Sequence, residues 1–364
     1  MAMQPIAALT TIRGLAAWWV VLYHFRPEVI ALTGPWTLGF LDQGYLAVDL
    51  FFELSGFVIT LNYAAMFDTL TPAKVLKFLG LRLGRIYPLH IVILAAYLLN
   101  PLAILWFSSN PVLGPRYDPG YFLLSLVLMQ NWGFTAETAW NIPAWSISTE
   151  WAAYLLFPLF LRPFAAAARL PGGAFVLAGL LLAALAVLAA PVGGIGLDIA
   201  HFGLVRCLLE FAAGICLCQI YTRWRPRFGN AATALAACLL LVSFQRGLPD
   251  YLLCPLAFLL LIYGLTDTGS LASRLLAHRA LEAVGLVSYS TYLVHYFVKD
   301  WVKFLAVGPS IPAWLPAIIY VVVIAGASAL LYRTVEIPGR LAVRAALLGP
   351  GSRRIAASQA KTAS

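Results

Sequence analysis

Charged side chains are scarce in this chain: 11% of its 364 residues are Asp, Glu, Lys or Arg, whereas about a quarter are charged in an ordinary soluble domain. Hydrophobic residues make up 62% of the chain, and they recur in apolar runs of about 20 residues from end to end. No polar block is long enough to fold separately. The composition therefore excludes a soluble domain and predicts one integral membrane protein.

The motifs of several common enzyme classes are also missing. The sequence has no Walker A loop, dinucleotide fingerprint, G-x-S-x-G elbow or H-E-x-x-H zinc pair. Its five cysteines form no pair of C-x-x-C elements, so we predict that they are small, buried hydrophobic residues. We expect no metal site and no permanently bound cofactor. The net charge of +9 comes from bases in short loops, which argues against a nucleic-acid partner.

The apolar runs predict an all-α, polytopic membrane helix bundle with about ten transmembrane helices. The segment 119–131 is too short to cross a bilayer, so we expect it to be re-entrant or interfacial. The predicted spans are 6–25, 45–65, 86–107, 145–161, 172–190, 201–221, 230–246, 250–266, 281–304 and 312–332.

The distribution of Lys and Arg predicts the orientation of these spans. With the N-terminus inside, 17 bases fall on the cytoplasmic side and five on the outer side, as the positive-inside rule requires. Both termini are then cytoplasmic. We predict one membrane domain over residues 1–340, followed by a basic cytoplasmic tail over 341–364 that is disordered or lies against anionic lipid.

Two ionisable residues, Arg13 and His24, lie within the first predicted span. At about 100° per residue they lie within roughly 20° of one helix face, and about 16.5 Å apart along the axis. A charge in hydrocarbon is costly, so such residues are functional candidates by default. Because the two are too far apart to pair, we expect them to line one elongated cavity.

Acidic residues of two further spans are predicted to reach the depth of His24. Asp49 lies near the outer end of the second span, and Glu150 enters from outside in WSISTEW. The pair Ser55-Gly56 in the middle of the second span, where a backbone can approach closely, is predicted to support the site. A carboxylate on one imidazole nitrogen would leave the other nitrogen as a general base. Asp49 and Glu150 are therefore candidate catalytic residues with His24, while a purely structural neutralisation of buried charges remains the alternative.

A cluster of bases precedes the third span, where Arg82 and Arg85 are three residues apart. Guanidinium groups bind phosphate bidentately, so this cluster is suited to a nucleotide-bearing donor from the cytoplasm. The alternative is a plain positive-inside anchor.

Four more polar residues within the spans are predicted to support the site. Arg206 and Glu210, at i and i+4, are best interpreted as a structural ion pair on one helix. Tyr292 and His295 lie near one another on the ninth span, where a packing or gating role is the usual one.

Together these segments resemble the acyltransferase-3 family of bacterial integral membrane acyltransferases, over roughly residues 6–340. Any one motif is weak, but seven in the usual order are specific. They are IRGLAAWWVVLYHF with Arg13 and His24, GYLAVDLFFELSGFVIT with Asp49 and Ser55-Gly56-Phe57, RLGRIYP with Arg82 and Arg85, WSISTEW with Glu150, the Arg206 to Glu210 element, SYSTYLVH with His295, and VEIPGR with Glu336, Pro338 and Arg340.

The resemblance implies His24 as the catalytic histidine, and Arg13, Arg82 and Arg85 as residues that serve an acyl-CoA donor. It predicts transfer of an acyl group, most simply acetyl, from cytoplasmic acyl-CoA to a hydroxyl of a glycan, lipid-linked sugar or macrolide. The expected location is the bacterial inner membrane, with membrane lipids as further partners. Direct transfer and an acyl-histidine intermediate stay open, as does the oligomeric state.

A rival function uses the same residues. A proton-coupled transporter or exporter would also bury acids and histidines along a substrate path. Such a protein would favour inverted repeats with interrupted helices, which the sequence does not display.

Overall fold

The computed structural model describes residues 6–108, 112–306, 311–312 and 314–348, and every regular element within them is helical. The predicted all-α class is confirmed. The α-helices are α1 (Ala7–His24), α2 (Arg26–Thr33), α3 (Leu38–Leu41), α4 (Ala47–Tyr63), α5 (Pro72–Ala96), α6 (Leu99–Phe107), α7 (Pro119–Leu126), α8 (Trp145–Arg169) and α9 (Gly173–Ala189). They continue with α10 (Ile199–Arg223), α11 (Gly229–Arg246), α12 (Asp250–Leu265), α13 (Leu271–Leu276), α14 (Arg279–Leu286), α15 (Ser288–Ala306), α16 (Leu315–Leu331) and α17 (Ile337–Leu348).

Six helical segments of the described chain are long and apolar enough to cross a membrane, and each overlaps one of the predicted spans over most of its length. The other four predicted spans, 6–25, 230–246, 250–266 and 281–304, are also helical but are not among these six. The last of them is divided at Val287 into α14 and α15. A total of ten and the side of each terminus therefore stay predictions. The six segments are Pro35–Phe67, Pro72–Phe107, Ile142–Arg169, Gly173–Val192, Ile199–Arg223 and Leu315–Leu347.

Helix α9 shows what surrounds the bundle. Val176, Leu180 and Val187 are 62%, 62% and 69% exposed. In water so large an apolar surface would be a liability, whereas in a bilayer it is the ordinary lipid-facing side of a helix whose backbone groups are bonded internally. The exposed surface therefore fits a multi-pass membrane protein.

Helices α4 and α10 pack closely at the centre of the bundle. A Cβ added at Gly56 would collide with the carbonyl of Phe211, and one added at Gly214 would collide with the carbonyl of Glu53. Small residues let two membrane helices approach until their backbones touch. The predicted close approach at Ser55-Gly56 is thus explained by this crossing.

Three other segments refine the sequence predictions. Within 119–131, α7 covers only Pro119–Leu126, far too few residues for a crossing. Residues 341–348, predicted as the start of the tail, belong to helix α17, because Val343 and Leu347 pack over Gly84 and Gly80 of α5. The rest of the predicted tail lies outside the described residues. Among the cysteines, Cys238 is exposed rather than buried.

The junction of α16 and α17 is a π-helical turn over Tyr332–Glu336. Such turns are rare and occur frequently at functional sites. The turn ends at Glu336, whose side chain is buried and directed toward α5 and α15.

Candidate active site

A cavity of about 190 Å³ lies between α1, α4, α5, α8 and α15. Its charged lining consists of three guanidinium groups, from Arg13, Arg82 and Arg85, and the carboxylate of Glu150. The structure therefore brings together these four predicted site residues from three helices, α1, α5 and α8. We call this space the arginine cavity; its other lining residues are Phe51, Phe52, Leu54, Ser55, Val58, Ile59, Ile86, Ser146, Ile147, Tyr154, Ser288, Tyr289 and Tyr292.

The three arginines are each held by a different partner. Arg13 donates from Nε to Ser288 Oγ at 3.0 Å and from Nη2 to the carbonyl of Gly285 at 3.3 Å. Arg85 forms an ion pair with Glu336, the last residue of the π-helical turn. Since these partners lie on other helices than the arginines, the packing of the bundle sets the direction of the guanidinium groups.

Arg82 and Glu150 are joined through a tyrosine. Arg82 Nη2 donates to the hydroxyl of Tyr154 at 3.1 Å, and that hydroxyl donates to Glu150 Oε1 at 2.5 Å. Ser55 Oγ donates to the same carboxylate oxygen. Glu150 is thus bound to a tyrosine and a serine of the cavity wall.

Positive charge exceeds negative charge around the arginine cavity. The carboxylate of Glu150 lines it, and Glu336 neutralises Arg85, which leaves one guanidinium charge without a counterpart in the immediate lining. Arg82 Nε is buried and has no hydrogen-bond partner among the described residues. A buried, unpaired donor on a cation is costly, so the cavity is suited to an anionic group.

His24 lies against His295, and each ring has a backbone carbonyl as a second partner. His24 Nδ1 is 3.1 Å from His295 Nε2 and 3.0 Å from the carbonyl of Val20. His295 is fully buried, with Nδ1 2.5 Å from the carbonyl of Tyr292. The predicted proximity of a carboxylate to the His24 ring is replaced by contact with a second imidazole.

Asp49 has a different partner from the one that we predicted. Arg206 donates two hydrogen bonds to its carboxylate, from Nε to Oδ1 at 2.7 Å and from Nη2 to Oδ2 at 2.6 Å. This bidentate contact forms because the planar guanidinium group matches the geometry of a carboxylate. Glu210 is 4.0 Å from Arg206, so the predicted i, i+4 pair is the weaker contact. Neither Asp49 nor Glu150 contacts His24 among the described hydrogen bonds, and the predicted orientation of the imidazole by a carboxylate is not formed.

Tyr292 lines the arginine cavity and also contacts His295. Its hydroxyl is 2.8 Å from Ser146 Oγ and donates to the carbonyl of Pro143 at 3.1 Å, while its ring centre is 5.8 Å from that of His295. His24 is not among the described residues that line the cavity. The continuous passage that we expected from Arg13 to His24 is therefore not formed: Tyr292 in the cavity wall contacts His295, and His295 in turn contacts His24.

Two contributors to the cavity were missed by sequence reasoning. Tyr154 follows Glu150 by one helical turn, and this i, i+4 spacing could have indicated a shared face. Glu336 of the VEIPGR motif does not line the cavity but pairs with Arg85, and no local spacing links the two because they are 251 residues apart.

The lipid-facing helices and the buried cationic cavity define a multi-pass membrane protein with an internal ligand site. Sequence comparison identifies the family: the family described as acyltransferase domain matches residues 6–333. The chain belongs to the acyltransferase-3 family, as the motifs indicated.

Two relatives carry informative names. The chain is 32% identical over 162 residues to acyltransferase MdmB of Streptomyces mycarofaciens, and this matched region covers 43% of this chain and 39% of MdmB. It is 22% identical over 320 residues to peptidoglycan O-acetyltransferase OatA of Listeria monocytogenes, covering 80% of this chain and 49% of OatA. The chain thus matches less than half the length of these relatives, and no solved structure matches it. Family and relatives support an O-acyltransferase.

Proposed function

We propose that this protein transfers an acyl group, most simply acetyl, from cytoplasmic acyl-CoA to the hydroxyl of an acceptor on the outer side of a bacterial inner membrane. The observation that carries the proposal is the convergence of Arg13, Arg82 and Arg85 on one cavity that ends next to the His24 and His295 pair. Family membership supports the acyl transfer, and the cavity supports the choice of donor.

The donor would place its phosphates on the arginines. Coenzyme A carries a diphosphate and a further phosphate on its ribose, and charge-assisted hydrogen bonds to guanidinium groups suit such anions. Arg82, with its unpaired buried Nε, and Arg85 are the best-placed ligands. The pantetheine arm would then extend past Arg13 toward Tyr292 with its thioester.

The chemistry would use the lone pair on His24 Nε2. This nitrogen takes the proton of the acceptor hydroxyl as the hydroxyl oxygen forms a bond to the thioester carbonyl carbon. Cleavage of the carbon–sulfur bond releases the coenzyme A thiolate, which receives the proton from the imidazolium. In the ping-pong alternative, the same nitrogen carries the acyl group transiently. Either route requires the cavity to extend to His24, past Tyr292 in its wall and the His295 ring that lies against His24.

The names of the relatives guide the choice of acceptor. MdmB is named an acyltransferase and OatA a peptidoglycan O-acetyltransferase. We propose a saccharide, lipid-linked sugar or macrolide hydroxyl for this chain as well.

The test is acyl transfer by the purified full chain in detergent or lipid nanodiscs. Radiolabelled acetyl-CoA is incubated with a panel of glycan, lipid-linked sugar and macrolide acceptors, and labelled product is counted. We expect His24→Ala to abolish transfer, while His201→Ala, a matched change at an exposed histidine bound to Asp198, leaves the rate unchanged. Near-normal transfer by His24→Ala would remove this residue from the mechanism.

The same preparation separates the proposed enzyme from a transporter. Vesicles that show no transfer to any acceptor, but couple substrate uptake to proton movement, would favour the proton-coupled transporter instead.

Incubation with radiolabelled acetyl-CoA in the absence of acceptor distinguishes the two routes of transfer. Protein that becomes covalently labelled would identify the acyl-histidine route. Unlabelled protein together with normal turnover would identify direct transfer.

A further inference from the structure

The two imidazoles in contact, His24 and His295, fix one another's protonation state. A backbone carbonyl can only accept a hydrogen bond. Because His295 Nδ1 lies 2.5 Å from the carbonyl of Tyr292, that nitrogen carries the proton of the neutral ring. The other nitrogen, Nε2, then bears a lone pair.

The same reasoning applies to the second ring. His24 Nδ1 faces two acceptors, the carbonyl of Val20 at 3.0 Å and the lone pair of His295 Nε2 at 3.1 Å. It must therefore be protonated, which leaves the lone pair of His24 on Nε2. The chain of contacts selects one tautomer for each ring.

We propose that His295 is the positioning residue for His24, in the place where a carboxylate orients the histidine in many other sites. This inference rests on the proposed function, because it assigns the base as His24 Nε2. His295 Nε2 accepts a hydrogen bond from the Nδ1–H group of His24, which holds the plane of the His24 ring. It continues to accept this hydrogen bond when His24 Nε2 takes up the proton of the acceptor hydroxyl. No carboxylate contacts either ring among the described hydrogen bonds, so an imidazole lone pair performs the orientation.

The placement of the two residues supports this role. His295 is fully buried and bonded to its own helix, so its position is set by the packing of α15. His24 is the last residue of α1 and is partly exposed, with Tyr23 and Tyr296 edge-on to its ring at 5.0 and 5.2 Å. A rigid buried ring thus orients a more accessible one.

Three substitutions of His295 test the inference in the full chain. The side-chain oxygen of Gln lies near the position of His295 Nε2 and can accept the same hydrogen bond. The side chain of Asn is too short to reach this position, and that of Ala has no acceptor. We expect His295→Ala and His295→Asn to lower kcat on the order of 10²-fold, the scale of a misplaced general base, with little change in KM for acyl-CoA. His295→Gln should restore most of the lost kcat.

The matched control is His90→Gln. His90 is also a buried histidine, bonded through Nε2 to the carbonyl of Ser125 at 2.8 Å, and it does not line the arginine cavity. We expect it to leave kcat unchanged. If His295→Gln is as slow as His295→Ala while the wild type and His90→Gln are active, the inference is wrong although the proposed function stands. If the wild type transfers no acyl group, the proposed function fails.

A spectroscopic measurement tests the tautomers without any activity. Nitrogen NMR of the full chain labelled with 15N-histidine gives signals from only five histidines, and the His24→Ala and His295→Gln variants assign the two of interest. We expect both neutral rings to be protonated on Nδ1 and unprotonated on Nε2. Protonation of either ring on Nε2 would overturn the inference, whatever the enzyme kinetics.

Discussion

Replacing Asp49 by Asn removes one half of a buried ion pair that joins α4 to α10. Both side chains are almost completely buried, 0% exposed for Asp49 and 1% for Arg206, and two hydrogen bonds of 2.7 and 2.6 Å connect them. Asn keeps the shape of the side chain but not its charge, which leaves the Arg206 guanidinium without its main partner. Breaking such a pair costs about 3–5 kcal/mol of unfolding free energy.

That loss is large beside the total stability of a typical domain, about 5–15 kcal/mol. We therefore expect Asp49→Asn to lower the yield and the unfolding midpoint of the protein in mixed micelles. The fraction that remains folded should keep nearly normal kcat, since Asp49 does not touch His24. The matched control is Asp42→Asn, whose pair with Arg26 is 2.7 Å long but 43% and 38% exposed and is worth less than about 1 kcal/mol.

The opposite outcome would refute this reasoning. If Asp49→Asn unfolds within about 1 kcal/mol of the wild type while its kcat falls by a large factor, Asp49 acts in catalysis, as the sequence first indicated. A double-mutant cycle with Arg206→Gln measures the coupling between the two side chains directly.

Three further predictions follow from the cavity and its surroundings. Arg82→Ala should raise KM for acyl-CoA about 10- to 100-fold by removing charge-assisted hydrogen bonds. The control is Lys77→Ala on the same helix, and an unchanged KM for Arg82→Ala would indicate that Arg82 serves only as a positive-inside anchor. Tyr292→Ala should enlarge the cavity toward the His24 and His295 pair and raise acceptor-independent hydrolysis of the thioester; an unchanged rate of hydrolysis would show that the ring does not act as a barrier. Gly56→Ala should destabilise the fold, measured by thermal unfolding, because its Cβ collides with the backbone of α10; an unchanged melting temperature would refute the close crossing.

Local spacing accounts for the part of the structure that could be predicted. Arg82 and Arg85 lie one turn apart on α5, and both line the arginine cavity together with Arg13. Apolar runs of membrane length predicted six segments that the structure also describes as long enough to span. Such features depend on neighbours within a few turns of one helix, where periodicity is reliable.

The partners across helices could not be predicted in this way. Asp49 and Arg206 are 157 residues apart, and His24 and His295 are 271 apart. At such separations a helical period says nothing about which charged face meets which. Spacing alone therefore predicts Asp49 beside His24, and Arg206 paired with Glu210 on its own helix. Only the three-dimensional packing decides between such competing pairs.

The π-helical turn at Tyr332–Glu336 has a consequence for how this part of the chain can vary. Because the turn holds one residue more than an α-helical turn, a deletion within it leaves the residues beyond it facing nearly the same way. A deletion in the α-helical part of α16 before the turn instead rotates everything beyond it by about 100°. Glu336 would then point away from Arg85 and Ser290, and the face of α17 that fits over the glycines of α5 would turn outward. Homologous proteins that keep this contact are therefore expected to carry single-residue gaps within the turn rather than in α16.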